Sequence, residues 1–157
     1  MIKLCFTFVL IVVGLFVNIA QSQPKRTWTP FGLDNTYIYS YDSLEVSKVG
    51  KHEFAAWLKT QPLPDSLSKV RNLYMRLRNP ISKRSKNDPT NSGGYEKYVF
   101  TIQNVMVDCK KRTIRYLSTI DYDENGIVLM ELTPNQAMPQ KIVPGSIGGT
   151  LADEVCH

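Results

Sequence analysis

Asp42, Ser43 and His52 are the residues whose types could run nucleophilic hydrolysis, with a serine hydroxyl deprotonated by an imidazole that an acid orients. Their spacing argues for something plainer. Adjacent Asp and Ser make a turn in which the side chains bond their own backbone, and His52 opens a stretch with the two-residue alternation of a strand. The other histidine, His157, is the terminal residue. The chain has no His-Glu-x-x-His, no Gly-rich phosphate loop and no dinucleotide fingerprint. An enzyme is therefore not expected, nor is a cofactor or a metal. Gly148-Gly149, at the start of a short helical pattern, could approach an anion, but permissive backbone explains the pair more simply.

Sulfur chemistry is better supported. Residues 1–22 begin with Lys3, continue through an apolar run from Leu4 to Val17 and end in Ala20-Gln21-Ser22. That order is a secretory signal peptide, cut after Ala20 or Ser22. The rival reading, an uncleaved anchor, meets an apolar run shorter than the roughly 18 residues a span needs. Removal of the leader takes Cys5 with it, leaves Cys109 and Cys156, and leaves no transmembrane anchor. An even pair in an exported chain reads as one disulfide; two unpaired or metal-bound thiols are the alternative. The expected location is periplasmic, cell-surface or secreted.

Lys3 is the only charge in the leader, so residues 23–157 keep 18 basic residues against 14 acidic. The excess is local. Lys69, Arg71, Arg76, Arg78, Lys83, Arg84 and Lys86 fall within 66–87 without a single acid. This suits contact with an anionic envelope surface or acidic partners, or else a solvated helix face. Nucleic acid is not an expected partner of an exported chain.

The elements that must position these groups follow from periodicity. Trp28 and Phe31 are expected core anchors. Tyr37, Tyr39 and Tyr41 alternate as one strand face, with a core role for the rings and hydroxyls at the rim. Asp42-Ser43 suits a turn, 44–46 a brief pairing, and 49–51 a second turn. Residues 52–59 read as a strand, although Ala55 to Leu58 would also suit a helix. Leu67, Val70, Tyr74 and Leu77, with Leu73 beside them, mark a helix face, started by Asp65 or Ser66 and stopped at Pro80. Residues 81–94 read as a mobile loop. From Tyr95 to Leu132, three strands joined by Lys110-Lys111-Arg112 and by Asn125-Gly126 form a meander. Pro134, Pro139 and Pro144 exclude a regular element over 133–145. Ser146, or Thr150 with Asp153, starts a last helix with Ile147, Leu151 and Val155 on one stripe. Two glycines weaken that helix, and a bridge from Cys156 to Cys109 pins it. Such a bridge closes a loop of about 48 residues and contributes on the order of 4 kcal/mol.

Three stretches then look familiar: "YIYSYDSLEVSKVGKHEFAAWLK", "VMVDCKKRTIRYLSTIDYDENG" and "IVPGSIGGTLADEVC". Together they resemble the surface-adhesin protein E family of exported bacterial proteins, over about residues 28–157 apart from the basic insert at 63–94. The final Pro-Gly-Ser to Cys motif and the upstream Asp-Cys are its most specific parts. The resemblance implies an antiparallel sheet with a C-terminal helix tied by Cys109–Cys156, and binding of host extracellular proteins such as vitronectin or laminin. Family binding around the first cysteine maps here to Lys97, Tyr98, Lys110, Lys111, Arg112, Arg115 and Tyr116. This chain departs from the pattern in having no lipidation cysteine and in its basic helix.

The reading is thus one α+β domain over 23–157. A five- or six-stranded antiparallel sheet carries an inserted basic helix and a short tethered terminal helix. The expected function is non-enzymatic binding. The alternative is a periplasmic envelope-associated structural protein whose basic helix contacts anionic lipid or acidic partners.

Overall fold

Alternating side chains demand a sheet, and the computed structural model, which describes residues 26–82 and 94–156, has one. In chain order the elements are β1 (Trp28–Leu33), β2 (Tyr37–Asp42), β3 (Ser47–Lys48), β4 (Glu53–Pro62), α1 (Leu67–Ser82), β5 (Tyr98–Asp108), β6 (Thr113–Asp123), β7 (Val128–Leu132), β8 (Gln140–Lys141) and α2 (Ile147–Val155). Six strands run β1-β2-β4-β5-β6-β7, every neighbouring pair antiparallel. The two-residue strands fill free edges, β3 on β4 and β8 on β6. The expected meander is β5-β6-β7, and Gly126 supplies the positive φ of its second turn.

Register decides the two faces. Ala56 lies opposite Val105, and Val105 opposite Tyr116, so one face carries Ala56, Leu58, Val105, Val107 and Ile114 into a core with Leu151, Ala152 and Val155 of α2. Tyr41 packs on that cluster, while Tyr37 packs with Val70, Tyr74, Tyr95 and Tyr98 at α1. Tyr37 and Tyr41 are four residues apart on an unbulged strand, so both helices cover the same face. Two of the three tyrosine hydroxyls reach the rim, Tyr39 donating to Asp34 at 2.8 Å and Tyr41 to Glu154 at 3.4 Å, while that of Tyr37 meets Tyr74 in the α1 cluster. Trp28 and Trp57 fall on the opposite face, which neither helix covers. Trp28 is therefore not the core anchor expected, although Phe31 does pack on the α2 cluster.

Five local expectations change. The brief pairing after the first turn is at Ser47–Lys48 rather than 44–46. Tyr95 to Lys97 form a 3-10 turn ahead of β5, because Tyr95 and Tyr98 both enter the α1 cluster and strand alternation would separate them. A 3-10 turn at Pro64–Ser66 leads straight into α1, and the Ser66 hydroxyl bonds Asn35 O instead of capping. The helix continues two residues past Pro80, since a missing N–H in the last turn costs only one backbone bond. Gln140–Lys141 pairs with β6 in the proline-rich segment, because its two residues lie between Pro139 and Pro144.

α2 starts at the earlier site, with Ser146 Oγ accepting the Gly149 N–H at 3.2 Å. Leu151 and Ala152 are fully buried, and Cys109–Cys156 is formed with its Cα atoms 5.7 Å apart. The weak helix is thus held by a cap, an apolar stripe and a covalent bond. On α1, Val70 is buried, while Leu73 and Leu77 of the expected apolar face are 48% and 58% exposed.

Candidate functional site

The seven residues mapped around the first cysteine do not form one cluster. Lys97 and Tyr98 stand at the opposite end of β5 from Lys110, a strand length of roughly 35 Å away. Tyr98 is also fully buried: its hydroxyl shares a hydrogen bond with Thr101 Oγ1, which donates to the buried Asp121, as does Tyr95 OH. Burial pushes the Tyr98 phenol well above its ordinary range. A side chain so enclosed offers a partner no surface, and Tyr98 is corrected to a core residue. Arg115 and Tyr116 point to opposite faces. Tyr116 packs on the α2 core, where burial raises its phenol, and Arg115 donates to Glu53 at 2.9 Å on the other face.

What remains together is the β5–β6 tip, Lys110, Lys111 and Arg112. Arg112 holds a positive φ of 51° and is braced twice: Nη1 donates to Asp153 Oδ1 at 2.8 Å, and its carbonyl accepts the Ile142 N–H at 2.9 Å. Asp108 closes the turn by accepting the Lys111 N–H at 2.9 Å, and that bond holds its carboxyl below the usual carboxylate range. Lys111 Nζ is 3.1 Å from Asp108 Oδ2, yet its side chain is 75% exposed. Lys110 is exposed, and among the described residues no ion pair engages it. The tip therefore presents two lysines on a turn tied to the disulfide, α2 and β8.

On α1, Lys69 and Arg76 are exposed, seven residues apart on one side. Arg71 is partly engaged by the fold, its Nε donating to Tyr98 O at 2.8 Å and its Nη2 3.9 Å from Glu124. Lys83, Arg84 and Lys86 lie outside the described residues, as do the side chain of Arg78, the leader and most of the expected loop.

The hydrolytic set is not assembled. Ser43 Oγ accepts from Thr29, Asp42 Oδ1 accepts the Leu44 N–H, and the His52 carbonyl accepts the Cys109 N–H at the far end of β4. Among the described residues no group of three His, Cys, Asp or Glu is placed to hold a metal ion. The Gly149 N–H, a donor an anion would need, is taken by Ser146.

One constellation escaped sequence reasoning. Arg26 lays its guanidinium 4.4 Å from the Trp57 ring centre and 5.9 Å from that of Trp28, beside the buried Asp42. These residues meet only because β1, β2 and β4 are neighbours. The single hint in the sequence was that the chain has just two tryptophans, Trp28 and Trp57.

The model of a family described as surface-adhesin protein E matches residues 28–157, the basic insert included. No curated protein and no solved structure matches the chain. No helix among the described residues is long and apolar enough to cross a membrane.

Proposed function

Since the chain belongs to the surface-adhesin protein E family, we propose that it is an exported, non-enzymatic protein that binds host extracellular proteins through the tip of the β5–β6 hairpin. Residues 1–22 act as the cleaved signal peptide, and residues 23–157 are the working domain. The observation that carries this reading is the bracing of the tip. Cys109–Cys156, Arg112–Asp153 and the Ile142–Arg112 backbone bond all hold the turn that projects Lys110 and Lys111. A partner pays little ordering entropy on a turn already fixed, and two exposed ammonium groups suit an acidic patch. Vitronectin and laminin, the ligand types the resemblance implies, are the first partners to test. Saturable binding to either, immobilised at physiological salt, supports the proposal, and the absence of binding to any host matrix or serum protein refutes it.

A second reading is favoured by one feature of α1. Leu73 and Leu77 are exposed close to Lys69 and Arg76, an apolar-basic outer surface suited to anionic lipid. An envelope-associated protein would use that surface. Co-sedimentation of the mature protein with anionic vesicles, lost when residues 66–87 are removed, would favour this reading over the first.

A further inference from the structure

The contacts of Arg26 describe a binding site occupied by the chain's own side chain. Its guanidinium lies over Trp57 and Trp28, with Asp42 Oδ2 at 3.7 Å and Glu45 Oε2 at 3.4 Å. Two aromatic faces and two carboxylates make a cage for a planar cation, because ring quadrupoles and negative charge both attract a guanidinium. Asp42 is 1% exposed, and with its Oδ1 accepting the Leu44 N–H, Oδ2 is the oxygen that faces the guanidinium.

The internal occupant fits imperfectly. Among the described residues neither Arg26 Nη1 nor Asp42 Oδ2 makes a hydrogen bond, and Asn104, directly across from Trp57, also has a buried Oδ1 without a partner. A well-seated guanidinium donates forked hydrogen bonds to its carboxylate. Here the ion pair is present and the fork is missing. Arg26 also precedes β1 and belongs to no strand or helix, so nothing in the backbone ladder keeps it in place.

We propose that the Trp28–Trp57–Asp42–Glu45 cage is a recognition site for an arginine side chain of a partner protein, plugged in the isolated chain by Arg26. It lies on the sheet face that the helices leave open and works independently of the hairpin tip. Displacement of Arg26 uncovers the Trp57 ring and lets an incoming guanidinium align with Asp42 Oδ2 and reach toward Asn104 Oδ1.

The test is optical, because Trp28 and Trp57 are the only tryptophans in the sequence. Mature wild-type protein, Arg26→Ala and Arg26→Gln are titrated with N-acetyl-arginine amide and with N-acetyl-citrulline amide, which has the shape without the charge. Retention of the wild-type circular dichroism spectrum by either variant qualifies it for the comparison. The expected result is a saturable tryptophan emission change with the arginine probe only, at least tenfold tighter in the variant than in wild type. Glu45→Gln, at an exposed position, added to the variant should weaken it by a further several-fold. A folded variant without a saturable change, an equal response to citrulline, or wild type binding as tightly as the variants would overturn the proposal.

Discussion

Arg112 Nη1 stands 2.8 Å from Asp153 Oδ1, which joins the tip of the β5–β6 hairpin to α2 three residues before the Cys109–Cys156 bond. The ion pair and the disulfide close the same seam, but they differ in strength. Both partners of the pair are solvent-exposed, so it contributes no more than about 1 kcal/mol, whereas the disulfide closes a loop with a separation of 47 residues. Replacement of both cysteines by serine should lower unfolding stability by about 2–5 kcal/mol, and Asp153→Ala by less than about 1 kcal/mol. Urea unfolding of the three proteins checks the ordering. Equal losses would contradict it.

The two glycines of α2 should respond in opposite directions. A Cβ on Gly148 meets nothing closer than Ser146 Oγ at 3.7 Å, while one on Gly149 lies 3.0 Å from the Val143 carbonyl oxygen. That carbonyl is held by the N–H and hydroxyl of Ser146 and has little room to give. Gly148→Ala is expected to stabilise by up to about 1 kcal/mol from helix propensity, and Gly149→Ala to destabilise. Thermal melts of the two variants read the sign directly.

Leu151 is the fully buried centre of the α2 stripe. Leu151→Ala should cost about 2–5 kcal/mol, visible as a melting temperature several degrees lower. A loss below about 1 kcal/mol would mean that α2 is not packed as described.

Stability should fall in acid. Asp34 accepts the Thr36 N–H, the Tyr39 hydroxyl and the Tyr37 N–H, and Asp108 accepts the Lys111 N–H; both carboxyls are held below their ordinary value. A folded pKa below the unfolded one contributes stability that is present above the unfolded value of about 4 and lost as pH falls through the folded value. The melting temperature should decline below about pH 4, and Asp34→Asn with Asp108→Asn should flatten part of that decline. A melting temperature that rises on acidification would contradict this.

Much of the fold was legible because alternation is a local signal. Tyr37 to Tyr41 and Ile114 to Tyr122 showed their strands directly, and the disulfide followed from counting cysteines. The face assignments of β5 and β6 were harder, since bulges near Val99 and between Asn104 and Val105 shift the alternation partway along. Tyr98 was a binding candidate only through the family mapping, and its burial follows from the α1 cluster it enters. Charge counting also misled: Arg71 and Arg112 add to the basic total, yet each is engaged by the chain's own groups, Arg71 by the Tyr98 carbonyl and Arg112 by Asp153 in an exposed pair. The Arg26 cage needed β2 and β4 side by side, a relation that no run of residues displays.

The central claim is that Lys110 and Lys111, on their braced turn, contact the partner. The decisive measurement is binding of mature protein to immobilised vitronectin or laminin for wild type, Lys110→Gln/Lys111→Gln and Lys69→Gln/Arg76→Gln, all confirmed folded. Loss of at least tenfold, about 1.4 kcal/mol, for the tip variant with the α1 variant unchanged is the predicted outcome. Full binding by the tip variant would contradict the account.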